Sequence, residues 1–93
     1  PTRLRKGRVR IPDVSVYLLN RFPSGRATGK AICDIPPDWA IEIVSRSNTP
    51  REMQIKRQHF FAAGTRRVWI VDPRKRIIED WTSAKTCLLY TSD

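Results

Sequence analysis

Residues 9–18 are rich in Val and Ile and predict a strand, with Pro12 inside it. A proline there fits an edge position, a strand start or a bulge, because it has no N–H to give to a ladder. Residues 20–38 turn to Pro23, Ser24, Gly25, Gly29, Pro36 and Pro37, which is turn chemistry. A loop and a loose hairpin both fit that stretch. Next comes a nearly continuous apolar run, Trp39-Ala40-Ile41-Glu42-Ile43-Val44. Such a run suits a central strand covered on both faces.

The following segment carries both helix ends in its letters. Thr49 can cap, Pro50 suits the first helical position, and Glu52 stands three residues after Thr49. Gly64 can supply a left-handed stop, so the helix is predicted over Pro50 to about Ala63. Val68-Trp69-Ile70-Val71 predicts a strand over residues 67–72. Asp72-Pro73-Arg74-Lys75 is a turn, and residues 77–82 are the returning strand of a hairpin. The order β, long loop, β, α, β, β implies a mixed sheet with at least one helix packed on it, an α/β (α+β) class. Cys87-Leu88-Leu89-Tyr90-Thr91-Ser92-Asp93 breaks the hairpin pattern and is similar to translated adapter read-through. The chain is therefore divided into a domain at 1–85 and a tail at 86–93, to which no function is assigned.

Composition narrows the classes. The 93 residues are 40% apolar, enough for one small core and too many for a disordered basic tail. No apolar run reaches the roughly 20 residues of a membrane span, and no signal-peptide layout is present. The chain starts at Pro1, which is expected of a fragment. Cys33 and Cys87 are too few for a disulfide scaffold or a four-cysteine metal site. Two thiols suit a reducing cytoplasm. With His59 as the one histidine, a His-rich zinc site is excluded.

Charge is unevenly placed. The net charge is +9, from 18 Lys and Arg against 9 Asp and Glu. Residues 1–10 carry +5, residues 11–50 sum to zero, residues 51–76 carry +6, and residues 77–93 carry −2. Two basic blocks around a neutral centre suit a polyanion, since Lys and Arg release counterions from phosphates. A solvated surface that aids solubility is the plainer alternative.

Glu42 fits its setting least, because a carboxylate in an apolar strand needs a partner, a metal or water. A salt bridge to an arginine and an open sheet face are the other readings. Asp13 gains meaning beside it. Two carboxylates on adjacent strands can bind a hard cation such as Mg²⁺, with the Ile43 carbonyl as a third oxygen. On the helix, Met53, Lys56, Phe60 and Ala63 share one face, which aims Lys56 toward the carboxylate strand. A lysine snorkelling from the stripe's edge is the alternative. Glu52 can pair with Lys56 or point at the same site. Ser45 lacks a Gly-x-Ser-x-Gly elbow and is expected as a turn hydroxyl near the site. His59 is expected at the surface, Trp39 and Trp69 in the core, and Trp81 in either place. No phosphate-binding glycine loop is present, which argues against a nucleoside-triphosphate enzyme.

Taken in order, Arg10-Ile11-Pro12-Asp13-Val14, Ile41-Glu42-Ile43-Val44-Ser45-Arg46-Ser47-Asn48, Lys56, and the segment from Phe60 to Pro73 resemble the Uma family of bacterial endonucleases. That family belongs to the PD-(D/E)XK nuclease superfamily, and the likeness covers about residues 8–82. It implies a restriction-endonuclease-like mixed sheet with a flanking helix, here the C-terminal portion of a domain truncated at its N-terminus. It implies Asp13 and Glu42 as acidic ligands of Mg²⁺ or Mn²⁺. The superfamily lysine usually lies two residues after the second acid, where this chain has Val44, and Lys56 on the helix is the match instead. Family members often carry Asp where this chain has Glu52.

The expected function is metal-dependent hydrolysis of DNA phosphodiester bonds. Asp13, Glu42 and Lys56 would be catalytic, with Ile43 also a metal ligand and Glu52 and Ser45 behind them. Arg8, Arg10, Arg66, Arg67, Arg74 and Lys75 would contact the DNA backbone. A catalytically inactive nucleic-acid-binding module of the same fold is the rival. Related nucleases often act as dimers, so the resemblance admits a homodimer and leaves the oligomeric state open.

Overall fold

A computed structural model of the chain describes residues 12–22 and 35–92. Among the described residues, five strands form one sheet in the order of the chain. They are β1 (Val14–Val16), β2 (Trp39–Ile43), β3 (Arg67–Asp72), β4 (Ile77–Ser83) and β5 (Thr86–Thr91). Only β2 and β3 run parallel, because the helix α1 (Pro50–Ala63) carries the chain back between them. All other neighbours are antiparallel. This is an α+β mixed sheet with one α-helix, besides a short 3-10 turn at Leu19–Arg21, among the described residues.

The helix ends as its letters predict. The Thr49 hydroxyl accepts from the Glu52 N–H, and the Glu52 carboxylate accepts from the Thr49 N–H. Gly64 closes the other end at φ 110°, a left-handed value that disfavours any side chain. Met53 and Phe60 face the sheet and join Ala40, Val68 and Ile70 in the core, with Val44, Phe61 and Trp81 packed around it. Asp38 ties three strands together at one end. Its carboxylate accepts from the Leu18 N–H, its N–H donates to the Val16 carbonyl, and its carbonyl accepts from Arg66 and Arg67.

Three expectations need correction. Of the strand predicted over 9–18, residues 9–11 lie outside the described residues; in the rest β1 holds three residues, and Pro12 and Asp13 precede it, because Pro12 cannot donate to the ladder. Trp39 and Trp69 are half-buried, edge-to-face at 4.8 Å. They alternate with Ala40 and Val68 and so lie on the face away from the helix core. Thr86–Thr91, where the letters predict no element, is the edge strand β5. Its Leu88, Leu89 and Tyr90 are all at least half exposed, so no inside-outside alternation marks the strand. Pairing to β4 defines it instead.

Candidate active site

Register decides which carboxylates meet. Val14 pairs with Ile41 in an antiparallel ladder. Continuing that register sets Asp13 opposite Glu42, and Pro12 opposite Ile43. The Asp13 Oδ2 takes the ladder's place and accepts from the Ile43 N–H at 2.7 Å. The Ile43 carbonyl points the same way as its N–H, toward Pro12, which has no N–H to offer. The Pro-Asp pair thus ends the β1–β2 ladder and leaves a carboxylate and a carbonyl side by side.

Glu42 points to the helix side because it alternates with core residue Ala40. It is 4% exposed. Lys56 comes down from α1, one turn before Phe60, and its Nζ donates to Glu42 Oε1 at 3.3 Å. Burial pushes the Glu42 carboxyl above the ordinary value of 4.5. Lys56 draws it back by charge and hydrogen bond, the Asp13 charge raises it, and a bond from the Asp13 main chain lowers it. The net direction is upward, so the site holds an anion at some cost.

The donor set fits a small hard cation. Among the described residues no third Asp, Glu, His or Cys joins Asp13 and Glu42. Mg²⁺ typically takes one or two carboxylates and keeps several waters, so two carboxylates and the Ile43 carbonyl are a sufficient set.

The other candidates lie as follows. Glu52 is engaged in the helix cap with Thr49, while Lys56 reaches Glu42. The Ser45 hydroxyl donates to Asn48 Oδ1 at 3.0 Å and lies 3.2 Å from the Ser47 hydroxyl, inside a turn. Val44 is half-buried against the core. His59 is exposed, and Asp72 Oδ1 caps its turn by accepting from the N–H groups of Arg74 and Lys75. Arg66, Arg74 and Lys75 are exposed. The Arg67 guanidinium forks onto the buried Asp80 at 2.9 and 3.1 Å, so its donors already serve the fold. Arg8 and Arg10 lie outside the described residues. Two residues escaped the sequence reading: Asp80, and Arg57, whose guanidinium lies 3.6 Å over the Trp81 ring. Both are defined by contacts to other elements, and the acid Asp80 in an apolar strand was the one available signal.

The family model described as "Putative restriction endonuclease", Uma2, matches residues 1–88. The chain belongs to the Uma2 family. Among solved structures, the Uma2 chain is similar to "a putative nuclease belonging to DUF820" from Anabaena variabilis ATCC 29413. The TM-score is 0.66 at 22% identity, over 89% of this chain and 47% of that one. At that identity the likeness is one of fold, and the Uma2 chain spans about half the length of this relative. No curated protein matches it. No helix among the described residues is long and apolar enough to cross a membrane.

Proposed function

We propose that the chain carries the catalytic centre of a metal-dependent endonuclease that hydrolyses DNA phosphodiester bonds. The observation that carries this reading is Glu42: a buried carboxylate set opposite Asp13, with the Lys56 ammonium 3.3 Å away. A purely structural Glu–Lys pair does not need a second acid and a ladder-ending proline beside it. Asp13, Glu42 and the Ile43 carbonyl would hold Mg²⁺ or Mn²⁺. When bound, the ion lowers the pKa of a coordinated water and neutralises charge at the scissile phosphate.

The chain's own groups then have distinct parts. Lys56 is 30% exposed at its side chain and so can turn from Glu42 toward a phosphate oxygen in the open site. There it would balance charge that grows in the transition state. The covered face beneath Glu42 limits water on one side and keeps these charges strong. Exposed Arg66, Arg74 and Lys75, together with Arg8 and Arg10, would hold the backbone without reading sequence. Lys56 offers from the helix the cation that Val44 does not supply.

The test is nicking of supercoiled plasmid by the purified chain with Mg²⁺ or Mn²⁺. Asp13→Asn and Glu42→Gln should abolish nicking, EDTA should do the same, and Lys56→Met should slow it by about 100-fold or more. If the wild type binds plasmid but nicks no faster than Glu42→Gln, the rival binding module stands. Binding that ignores salt would remove both nucleic-acid readings.

A further inference from the structure

A cavity of about 840 Å³ opens between the start of α1 and the helix-side face of β3, β4 and β5. It begins at Val44, two residues beyond Glu42, and neither Glu42 nor Lys56 lines it. Four cations do: Arg46, Arg57, Arg74 and Lys75. Among the described residues none of the four forms an ion pair. The two acids in the wall are already engaged. Asp72 accepts from the turn N–H groups, and Glu79 Oε1 accepts from the Trp81 indole at 2.9 Å. The lining therefore sets four cations against two carboxylates that are held by neutral donors, and its balance is positive.

The lining also has an apolar part. Met53, Ile70 and Ile77 belong to it with the exposed Leu89, and Trp81 supplies a flat ring. Arg57 lies over that ring at 3.6 Å and makes no hydrogen bond among the described residues, its Nε being buried without an acceptor. The guanidinium is thus held by stacking alone. A guanidinium plane on an indole is a platform on which a nucleobase can stack further. Cations at the rim with a stacking platform inside match a nucleotide: phosphate outside, base within. The volume is also in the range of small-ligand pockets.

We infer that this cavity receives one nucleotide unit of the nucleic-acid strand, its base stacked on the Arg57–Trp81 pair and its phosphate among Arg46, Arg74 and Lys75. The inference rests on the nuclease reading for its biological sense, but its binding test needs no catalysis. Single-stranded or extruded nucleotides fit it, because a base stacked within a duplex cannot reach the platform.

Isothermal titration in EDTA tests it with thymidine 5′-monophosphate, thymidine, inorganic phosphate and an oligothymidylate. The mononucleotide should bind more tightly than thymidine or phosphate, and the oligonucleotide more tightly still. Arg57→Ala should weaken mononucleotide binding on the order of tenfold. The Arg74→Ser/Lys75→Ser double variant, changed only in an exposed turn, should weaken it too and carries the test if Arg57→Ala fails to fold. Phosphate binding as tightly as the mononucleotide, or wild-type affinity in the folded cation variants, overturns the inference. Absence of nicking in Mg²⁺ with this binding intact would count against the nuclease reading alone. Nicking without nucleotide binding would sink the pocket alone.

Discussion

Glu42→Gln keeps the side chain's shape and an acceptor for Lys56 while removing one buried charge. The charge is the costly part. Burial holds the Glu42 carboxyl above 4.5, with Lys56 only partly offsetting it. A raised pKa means that the native state binds this proton more tightly than the unfolded state does. The cost of the charged form is therefore absent below the unfolded value. It grows as pH rises through the window between the unfolded and folded values, and is complete above that window. The pair is unequal: Glu42 is 4% exposed, whereas the Lys56 side chain is 30% exposed and can return to water. Exposed pairs are worth about 1 kcal/mol at most. Replacing a whole buried ion pair by well-packed apolar groups ranges from no effect to about 4 kcal/mol of stabilisation, and the cost of about 3–5 kcal/mol for stranding a buried charge is avoided here because Lys56 reaches water. With a hydrogen bond retained, Glu42→Gln belongs near the low end, about 1 kcal/mol. For a domain of this size that raises Tm by about 4–8 °C. Thermal melts followed by circular dichroism in EDTA, from about pH 4 to about pH 8, should show the gap opening as pH rises. Mg²⁺ should then reverse the order. At 100 times Kd it adds about 2.7 kcal/mol to the wild type and little to the variant. A variant that melts below the wild type at neutral pH without divalent ions would refute the reasoning, as would an equal Mg²⁺ shift in both proteins.

Gly64→Ala should cost about 1–2 kcal/mol, read from the urea midpoint. The residue sits at φ 110°, and an added Cβ would meet Pro36 Cγ only at 3.7 Å, so the cost is conformational rather than steric. An unchanged midpoint would disprove the left-handed cap. Arg67→Met should lower the midpoint more than Asp80→Asn. The first leaves a buried carboxylate without its cation, and the second removes the charge itself. The reverse order would refute the claim that the buried Asp80 carboxylate depends on Arg67, since only Arg67→Met also gives up the contact with Trp39 at 5.8 Å.

The parts of this fold that were legible in sequence are those set by near neighbours along the chain. Thr49, Pro50, Glu52 and Gly64 write both ends of α1 within 16 residues, because capping is local. The direction of Glu42 also followed from local rules, since alternation with Ala40 and the helical stripe of Met53, Lys56 and Phe60 brought acid and lysine to one face. Partners chosen across the sheet were not legible. Arg67 reaches Asp80 13 residues away, on a diagonal of the β3–β4 register, so its charge looked available for DNA. Arg57 stacks on Trp81 only because the helix lies over the strand order β3-β4. β5 was illegible for a further reason: an edge strand exposed on both faces has no periodicity to read.

Pro12 shows how a local rule can still specify a distant contact. A proline must end the ladder wherever its missing N–H falls, and the β1–β2 register lets it fall opposite Ile43. The residue after it then stands opposite Glu42, with a side chain short enough to accept the Ile43 N–H at 2.7 Å. Moving the proline by one position would turn the acid to the other face of the sheet, since side-chain direction has period two. The pair Pro12-Asp13 therefore encodes both where pairing stops and which face the second acid shares. Its partner strand supplies the buried Glu42, whose carboxyl is pushed above its ordinary value first by burial, with Lys56 drawing it back and the Asp13 charge adding a smaller upward push.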